Sequence, residues 1–297
     1  MSSLVRTQAT RLLNALDAEL FKVSHRRMTA ILLISLAALV LVFYVLLWLR
    51  IDSGPGTRRG SYFAWLEAKA AMSFLHVIPY SLALERFFAT LVCVIFAGSM
   101  MGNEYDWRTV GVVAARGVHR WHFLFAKLFT STLFTAVAVA AGFLIGMAAS
   151  AWWTHVYVLD YGTIDARWLQ DAFEGWARTT FVVLPYVYLA VLCATVFRSA
   201  GQAVGAALGV YFIESIFTGI LTGAEGWPRH IPAFLLNFNG ESLMRANGSV
   251  TATGGAGPFI FGSGDAPALR AALVLVAWMA GILVLVFWRF QRRDIQE

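Results

Sequence analysis

The segment Gly102–Arg120, GNEYDWRTVGVVAARGVHR, separates two long apolar stretches and carries five charged side chains and one histidine. The whole chain is 59% hydrophobic and only 13% charged, so a charged segment of this length stands out. A connection needed only to reverse the chain direction takes a few residues. The segment is therefore predicted to be a separate structural element that contacts another molecule.

Apolar stretches long enough to cross a lipid bilayer recur along the 297 residues, whose mean hydropathy is +0.67. A transmembrane helix needs about 20 predominantly apolar residues. Six stretches meet or approach this length, at residues 28–49, 84–101, 123–152, 179–197, 201–221 and 269–290. The sequence predicts an all-α integral membrane protein with six transmembrane helices in one domain, residues 1–297.

Residues 1–27, which precede the first span, contain a helical pattern. Apolar side chains recur there at steps of three and four residues, at Leu12, Leu13, Leu16, Leu20 and Val23. This periodicity predicts an amphipathic helix that lies in the lipid headgroup region, with a disordered tail as the alternative. The first span lacks a small-residue cleavage site, so we expect it to be retained rather than removed as a signal peptide.

Near the span ends, Lys and Arg residues are more numerous on the side of the bundle that carries both termini than on the opposite side. By the positive-inside rule, both termini are expected in the cytoplasm and the protein in the cytoplasmic (inner) membrane. We ascribe the net charge of +6 to contact with anionic lipids rather than to a nucleic-acid partner. Cys93 and Cys193 lie within spans and are expected to pack there, so no metal site is predicted.

Residues 222–268 form a long connection on the opposite side that is rich in Gly, Pro and Asn. Its stretch WPRHIPAFLLNFNGESLM, residues 227–244, is interrupted at Pro228 and Pro232 and predicts a pair of broken or re-entrant helices. Irregular backbone of this kind is tolerated near a membrane only when it is buried in protein or faces water.

Small residues spaced by four mark two spans as packing surfaces. Gly142 and Gly146 belong to the third span, and Gly201, Gly205 and Gly209 belong to the fifth. Such spacing lets helix backbones approach closely in lipid. We expect these glycines to support a packed bundle or a contact between two copies of the chain.

Glu214 lies in the middle of the fifth span, where a charged side chain costs about 2.5–3.5 kcal/mol. We expect it to face the bundle or the contact between two copies, near Tyr211 and Thr218 on the same helical face. The sequence leaves two roles open for it, a position in the substrate pathway and a structural hydrogen bond in the neutral form.

The charged segment itself has the local signals of a short helix. Asn103 is a favourable N-cap residue, and Asp106 follows at the position of the acid in a capping box. Arg116 falls in the last turn, and Gly117 is the residue type that usually follows a helix end. On this helix three charged side chains are expected to face the cytosol, those of Glu104, Arg108 and Arg116.

The segment resembles the first cytoplasmic loop of type-2 permeases of the ATP-binding-cassette family. The matching pattern of Gly, Glu, Thr, an apolar stretch, two basic residues and a downstream Lys reads here Gly102, Glu104, Thr109, Val112-Val113, Arg116, Arg120 and Lys127. A proline common in that family before the second basic residue is absent, with Gly117 nearby instead. AELFKVSHRRMTAILL, residues 18–33, and FWRFQRRDIQE, residues 287–297, are also similar to the beginning and end of such permeases.

The resemblance implies a coupling helix over 102–120 that docks into a cytoplasmic ATPase. The residues implied in this contact are Gly102, Glu104, Tyr105, Arg108, Thr109, Arg116 and Arg120. An interfacial helix with solvated charges is the alternative for this segment. A membrane permease of this kind is not itself an enzyme.

The chain has no Gly-x-x-x-x-Gly-Lys-Ser/Thr motif, so ATP and Mg²⁺ are expected in a separate subunit. Two copies of the chain are expected to pair around a pathway for an amphiphilic cargo that is exported by alternating access. A stand-alone channel or secondary transporter is the alternative function. An intramembrane enzyme is disfavoured because no convergent catalytic set is evident.

Overall fold

A computed structural model describes residues 2–55, 59–107, 109, 119–157, 159, 161–248 and 264–292. Within these ranges the chain forms nine α-helices and no β-strand. Six of the helices are long and apolar enough to cross a membrane, and each predicted span coincides with one of them. The prediction of an all-α, multi-pass membrane protein is confirmed at this level.

The helices are α1 Ser2–His25, α2 Arg27–Asp52, α3 Arg59–Met72, α4 Val77–Asp106, α5 Arg120–Val156, α6 Ala166–Phe197, α7 Ala200–Thr222, α8 Leu236–Met244 and α9 Ala268–Arg292. Three short 3-10 helices cover Phe74–His76, Trp227–Phe234 and Arg245–Asn247. The spanning helices are α2, α4, α5, α6, α7 and α9.

The spanning helices alternate in direction, so that α1 and the end of α9 lie at the same end of the bundle. Two hydrogen bonds join elements there: Arg120 Nη1 donates to the carbonyl of Gln291 at 3.0 Å, and the Ala200 backbone N–H donates to Asp106 Oδ2 at 3.1 Å. We call this end the terminal side and the opposite end, with α3 and α8, the far side.

Helix α4 is the central helix of the bundle. Of its most apolar stretch 78% is buried, compared with 22% for each of α2, α7 and α9. The three peripheral helices therefore direct most of their apolar surface outward, where lipid or another subunit can cover it.

The second span is longer than predicted at both ends. Helix α4 runs without interruption over Val77–Asp106 rather than 84–101, so Asn103 lies inside α4 and the prediction that it caps a separate helix is wrong. Asp106 instead accepts a hydrogen bond from the first backbone N–H of α7, which is an orphan donor of that helix. Charged residues at the ends of α4 continue the helix because they find buried partners.

Helix α6 also begins earlier than its predicted span, at Ala166 rather than Thr179. Asp165 stabilises this start, since its Oδ1 accepts a hydrogen bond from the backbone N–H of Trp168 at 2.8 Å. The helix ends at Phe197, and Arg198 takes a left-handed conformation with φ of 56° that turns the chain into α7.

Two short helices occupy the part of the far-side connection that contains the prolines, but the chain is not interrupted at Pro228 and Pro232, where the sequence places the breaks. The 3-10 helix Trp227–Phe234 has Pro228 in its first turn and Pro232 inside it, and α8 follows directly. All nine residues of α8 are buried. Residues 249–263 of this connection lie outside the described part of the chain.

The glycines singled out in the sequence fall into two groups. Gly142 and Gly146 of α5 face α4, because a side-chain carbon there would overlap Glu85 and Ser81 respectively. For Gly201, Gly205 and Gly209 of α7, a side-chain carbon would meet no described atom of this chain within 4 Å. The α5 glycines therefore serve packing inside the chain, and the α7 glycines leave an open surface.

We expect Gly102→Ala to destabilise the protein by about 1–3 kcal/mol, the usual cost of overpacking. Gly102 packs directly on the start of α7, where an added carbon would overlap the backbone of Ala200, which cannot rotate away. The measurement is thermal unfolding of the purified protein in detergent. Gly281→Ala, whose added carbon meets no neighbour, is the control, and equal unfolding temperatures for the two variants would contradict the contact.

Candidate functional site

An ionic cluster on the terminal side joins α1, α4 and α5. Its centre is Lys127 of α5, whose side chain is 0% exposed. The Lys127 Nζ atom lies 2.7 Å from Glu19 Oε2 of α1 and 2.7 Å from Glu104 Oε1 of α4. We define the ionic cluster as Glu19, Lys22, Glu104 and Lys127.

Lys22 balances the second negative charge of the cluster. Its Nζ lies 2.9 Å from Glu19 Oε1 and 3.6 Å from Glu104 Oε1, at the partly exposed edge of the cluster. Burial by itself lowers the pKa of Lys22, but the hydrogen bond to Glu19 and the charges of Glu19 and Glu104 outweigh it, so the pKa lies above its ordinary value. The cluster therefore contains two cations and two anions.

Thr109, the first residue after Trp107 that the structure describes, completes the coordination of Glu104. Its hydroxyl donates to the second carboxylate oxygen of Glu104 and lies 3.1 Å from the Glu104 carbonyl. Three residues of the sequence pattern, Glu104, Thr109 and Lys127, thus meet at one point. The carboxylate is 2% exposed, so the expectation that Glu104 faces the cytosol is wrong. The reason is that Lys127, 23 residues further along the chain, offers a countercharge inside the bundle.

The other residues assigned to the coupling segment occupy different environments. Gly102 is buried against the start of α7, and Tyr105 is half-buried and packs against the apolar core. Arg120 begins α5 and donates to the carbonyl of Gln291 near the end of α9. Arg108 and Arg116 lie outside the described residues, as does most of the predicted helix.

Trp107 is the most exposed described aromatic residue of the segment, at 62%. The guanidinium of Arg26 lies 5.6 Å from the centre of its ring, at the junction of α1 and α2. An exposed Trp and a neighbouring Arg are typical both of protein interfaces and of the lipid headgroup region. Trp107 at the end of α4 therefore presents an exposed aromatic ring on the terminal side.

A second set of buried polar groups lies on the far side and holds α8. Glu214 of α7 accepts hydrogen bonds from the backbone N–H groups of Leu236 and Asn237, the latter at 3.1 Å, and from Tyr186 Oη at 2.8 Å. The two N–H groups belong to the first turn of α8, where a carboxylate is favourable for the helix dipole. Of the two roles left open for Glu214, the structural hydrogen bond is the one that this geometry supplies.

Arg86 of α4 completes this far-side network, which we define as Arg86, Tyr186, Glu214, Asn237 and Glu241. Its Nη1 lies 3.1 Å from Glu241 Oε2, and its Nη2 donates to the carbonyl of Asn237 at 2.9 Å and to Asn237 Oδ1 at 2.6 Å. Arg86 and Glu241 are not among the site residues predicted from the sequence, because the predicted span begins at residue 84 and so places Arg86 at its end. The signal was nonetheless present, since an ionisable residue inside a spanning helix usually has a partner.

Tyr211 and Thr218 lie on the buried face of α7, as predicted from their helical spacing with Glu214. Tyr211 packs edge-on against Tyr186 with ring centres 5.0 Å apart, and the Thr218 hydroxyl donates to the Glu214 carbonyl at 2.8 Å. Within the described residues, no three His, Cys, Asp or Glu side chains gather as a candidate metal site.

The six apolar helices with their buried, charge-balanced ionic groups define a multi-pass membrane protein. The sequence model of the DUF2705 family, described as proteins of unknown function, matches residues 58–296. The chain therefore belongs to the DUF2705 family. A comparison with curated proteins gave no match.

We expect Lys127→Met to destabilise the protein by about 3–5 kcal/mol, because it removes the buried cation of Glu19 and Glu104 and leaves the partly exposed Lys22 to balance both carboxylates. The measurement is the free energy of unfolding, or the unfolding temperature, of the purified protein in detergent. Lys69→Met is the matched control, since Lys69 lies at the edge of the bundle over the Trp65 ring.

The double variant Lys127→Met with Glu104→Gln should lose less stability than the sum of the two single variants. The reason is that it also removes the negative charge of Glu104, one of the two carboxylates that Lys127 neutralises. A cluster that is not structural would instead leave Lys127→Met as stable as Lys69→Met.

We expect Glu214→Ala to destabilise the protein by about 1–3 kcal/mol, since three donors then lose their acceptor. Tyr186→Phe removes one of the three and should cost less. Unfolding temperature measures both, and Glu225→Ala on the exposed turn after α7 is the control. An unfolding temperature for Glu214→Ala equal to that of Glu225→Ala would contradict the role of Glu214 in holding α8.

Proposed function

We propose that this chain is the permease subunit of an ATP-driven exporter similar to the type-2 permeases of the ATP-binding-cassette family. A separate ATPase subunit would bind ATP and Mg²⁺ and dock on the segment 102–120. The chain would lie in the cytoplasmic membrane with both termini in the cytoplasm. The cargo proposed is amphiphilic, moved by alternating access.

The observation that carries this proposal is the convergence of the pattern residues Glu104, Thr109 and Lys127 in the ionic cluster. The pattern extends over 26 residues of the sequence, and three of its polar members, Glu104, Thr109 and Lys127, meet around one carboxylate. Gly102, also part of the pattern, is the close contact between α4 and α7. A sequence pattern whose members touch each other is more easily explained by a shared role than by chance.

The geometry supports a coupling role because the described residues at both ends of the segment are attached to several helices. On one side it continues α4, the central helix, and on the other side it leads into α5. The ionic cluster ties both helices to α1, and Asp106 ties the end of α4 to α7. A force applied at the end of α4 on the terminal side would therefore act on four helices together.

In this proposal the buried residues and the exposed ones have different tasks. Glu104 and Lys127 are positioning residues that hold the segment on the bundle. Direct contact with the ATPase falls to residues outside the cluster, namely Trp107, Arg108 and Arg116. This division replaces the expectation that Glu104 touches the ATPase itself.

Two copies of the chain are the simplest assembly for a six-span permease. The glycines of α7 support such a pairing, because Gly201, Gly205 and Gly209 leave a surface that no described part of the chain covers. Exposed apolar side chains of α7 adjoin this surface, namely Val210, Phe212, Ile213, Ile216, Phe217 and Ile220. Membrane lipid is the other partner proposed for these outward faces.

A secondary transporter is the second candidate function. The observation in its favour is the far-side network, where a short buried helix is held by ionisable residues of spanning helices. Discontinuous helices and buried ionisable groups are typical of ion-coupled transporters. The two functions differ in one requirement, because only the exporter needs a separate ATPase.

The deciding experiment is co-purification of the full-length chain with the soluble ATPase encoded nearest to it, followed by measurement of ATP hydrolysis. We expect Arg108→Glu to weaken the association about tenfold, since it reverses a charge at the proposed interface. Arg229→Glu is the matched control, because Arg229 is exposed on the far side.

A complex that forms equally well with both variants would contradict the proposed docking segment. Transport of cargo by the purified chain without any ATPase would instead favour the secondary transporter.

A further inference from the structure

Glu85 of α4 is the one buried carboxyl group without a polar partner among the described residues. Its side chain is 0% exposed, and neither carboxyl oxygen makes a hydrogen bond. The other buried glutamates are all paired, Glu19 and Glu104 with Lys127 and Glu241 with Arg86. Arg86, although adjacent in sequence, is thus engaged in the far-side network.

The carboxyl of Glu85 lies where α4 crosses α5, directly over Gly142. A side-chain carbon on Gly142 would overlap all three atoms of the carboxyl group, and one on Gly146 would overlap the Ser81 hydroxyl. Tyr44 of α2 closes the same region, where its hydroxyl accepts a hydrogen bond from Ser150 at 3.2 Å. The two glycines thus make the room that the polar side chains of α4 occupy.

Among the described side chains, the surrounding helices bring no countercharge to Glu85. Residues 138–150 of α5 contain no ionisable side chain, and α2 contributes the neutral Tyr44. Along α4 itself, Cys93 is the ionisable group within electrostatic reach, and its thiol is buried. Lys69, a described cation of α3, lies over the Trp65 ring, and His76 bonds to Ser73. On α6 and α7, Tyr186 and Glu214 bond to each other.

A carboxylate buried without a donor or a countercharge is strongly disfavoured, whereas the neutral acid tolerates such a position. We propose that Glu85 is a proton-binding site inside the membrane domain and that the bound proton allows α4 and α5 to pack closely. Release breaks the carboxyl O–H bond and transfers the proton to water. The carboxylate that remains needs hydration or a countercharge, and either requires α4 to move away from Gly142.

The ligand of this site is a proton rather than a metal cation. The carboxyl group itself fills the space over Gly142, and a hard cation needs several oxygen ligands around it. The proposal does not depend on the exporter function, since a proton site that governs helix packing could serve an ATP-driven or an ion-coupled protein.

The first test is infrared spectroscopy of the full-length protein in lipid nanodiscs near neutral pH, at which an ordinary glutamate is ionised. We expect the difference spectrum between the wild type and Glu85→Gln to contain the carbonyl band of a protonated carboxylic acid. Glu225→Gln, an exposed control, should show the loss of a carboxylate band instead. A carboxylate band in the Glu85→Gln difference would overturn the proposal.

If Glu85→Gln does not assemble, Tyr44→Phe serves as the second variant. It keeps the acid and removes a neighbouring hydroxyl, so the protonated carbonyl band should persist at a shifted frequency. A spectrum in the acid carbonyl region that does not change with Tyr44→Phe would overturn the assignment of that band to Glu85.

The second test measures the link between the proton and helix packing, with the buried Cys93 thiol as the reporter. In a Cys193→Ala background, a small thiol reagent should label Cys93 slowly at neutral pH and faster at alkaline pH. Alkali also raises thiolate reactivity by itself, so Glu85→Gln, which cannot ionise, supplies the baseline. We expect the pH-dependent acceleration to be several-fold larger with Glu85 than with Gln. Equal acceleration in both would overturn the link.

Discussion

The terminal side of the bundle depends on the position of one ammonium group, that of Lys127. A fully buried Lys is tolerated only with countercharge, and here Glu19 of α1 and Glu104 of α4 each lie 2.7 Å away. The dependence is mutual, because neither carboxylate could remain buried without the cation. Charge balance therefore holds α1, α4 and α5 together in addition to their apolar contacts. The end of α4 and the beginning of α5 are therefore both linked to α1.

The far side is also held together by buried charged groups with partners, which here belong to α4, α7 and α8. Helix α8 is too short to be stable alone, and it is held at its first turn by Glu214 and along its side by Arg86. Helix α4 is thus anchored by ion pairs near both ends. Glu85, which directly precedes Arg86 on α4, departs from this pattern because a glycine rather than a cation faces it. The proposed proton site thus differs from the two anchors, whose carboxylates each lie beside a cation.

Local patterns located the spanning helices well and their charged ends poorly. Helix α4, Val77–Asp106, is longer than the predicted span 84–101, because the prediction ends an apolar stretch where charged residues occur. In the folded chain Arg86 reaches Glu241, which is 155 residues away, and Glu104 reaches Lys127. The sequence pattern did group Glu104, Thr109 and Lys127, although it placed the carboxylate outside. A capping signal at Asn103 was overridden because the buried surface of α4 continues past it.

The number, order and approximate limits of the spanning helices followed from the sequence alone. These properties depend on local requirements: the length of an apolar stretch, the satisfaction of backbone groups within it, and the residues that interrupt a helix. Only the tertiary structure decided which charges are buried, which of them are paired, and which glycines face a helix or remain open. Such pairings depend on how helices distant in sequence approach each other, and no local pattern records the partner.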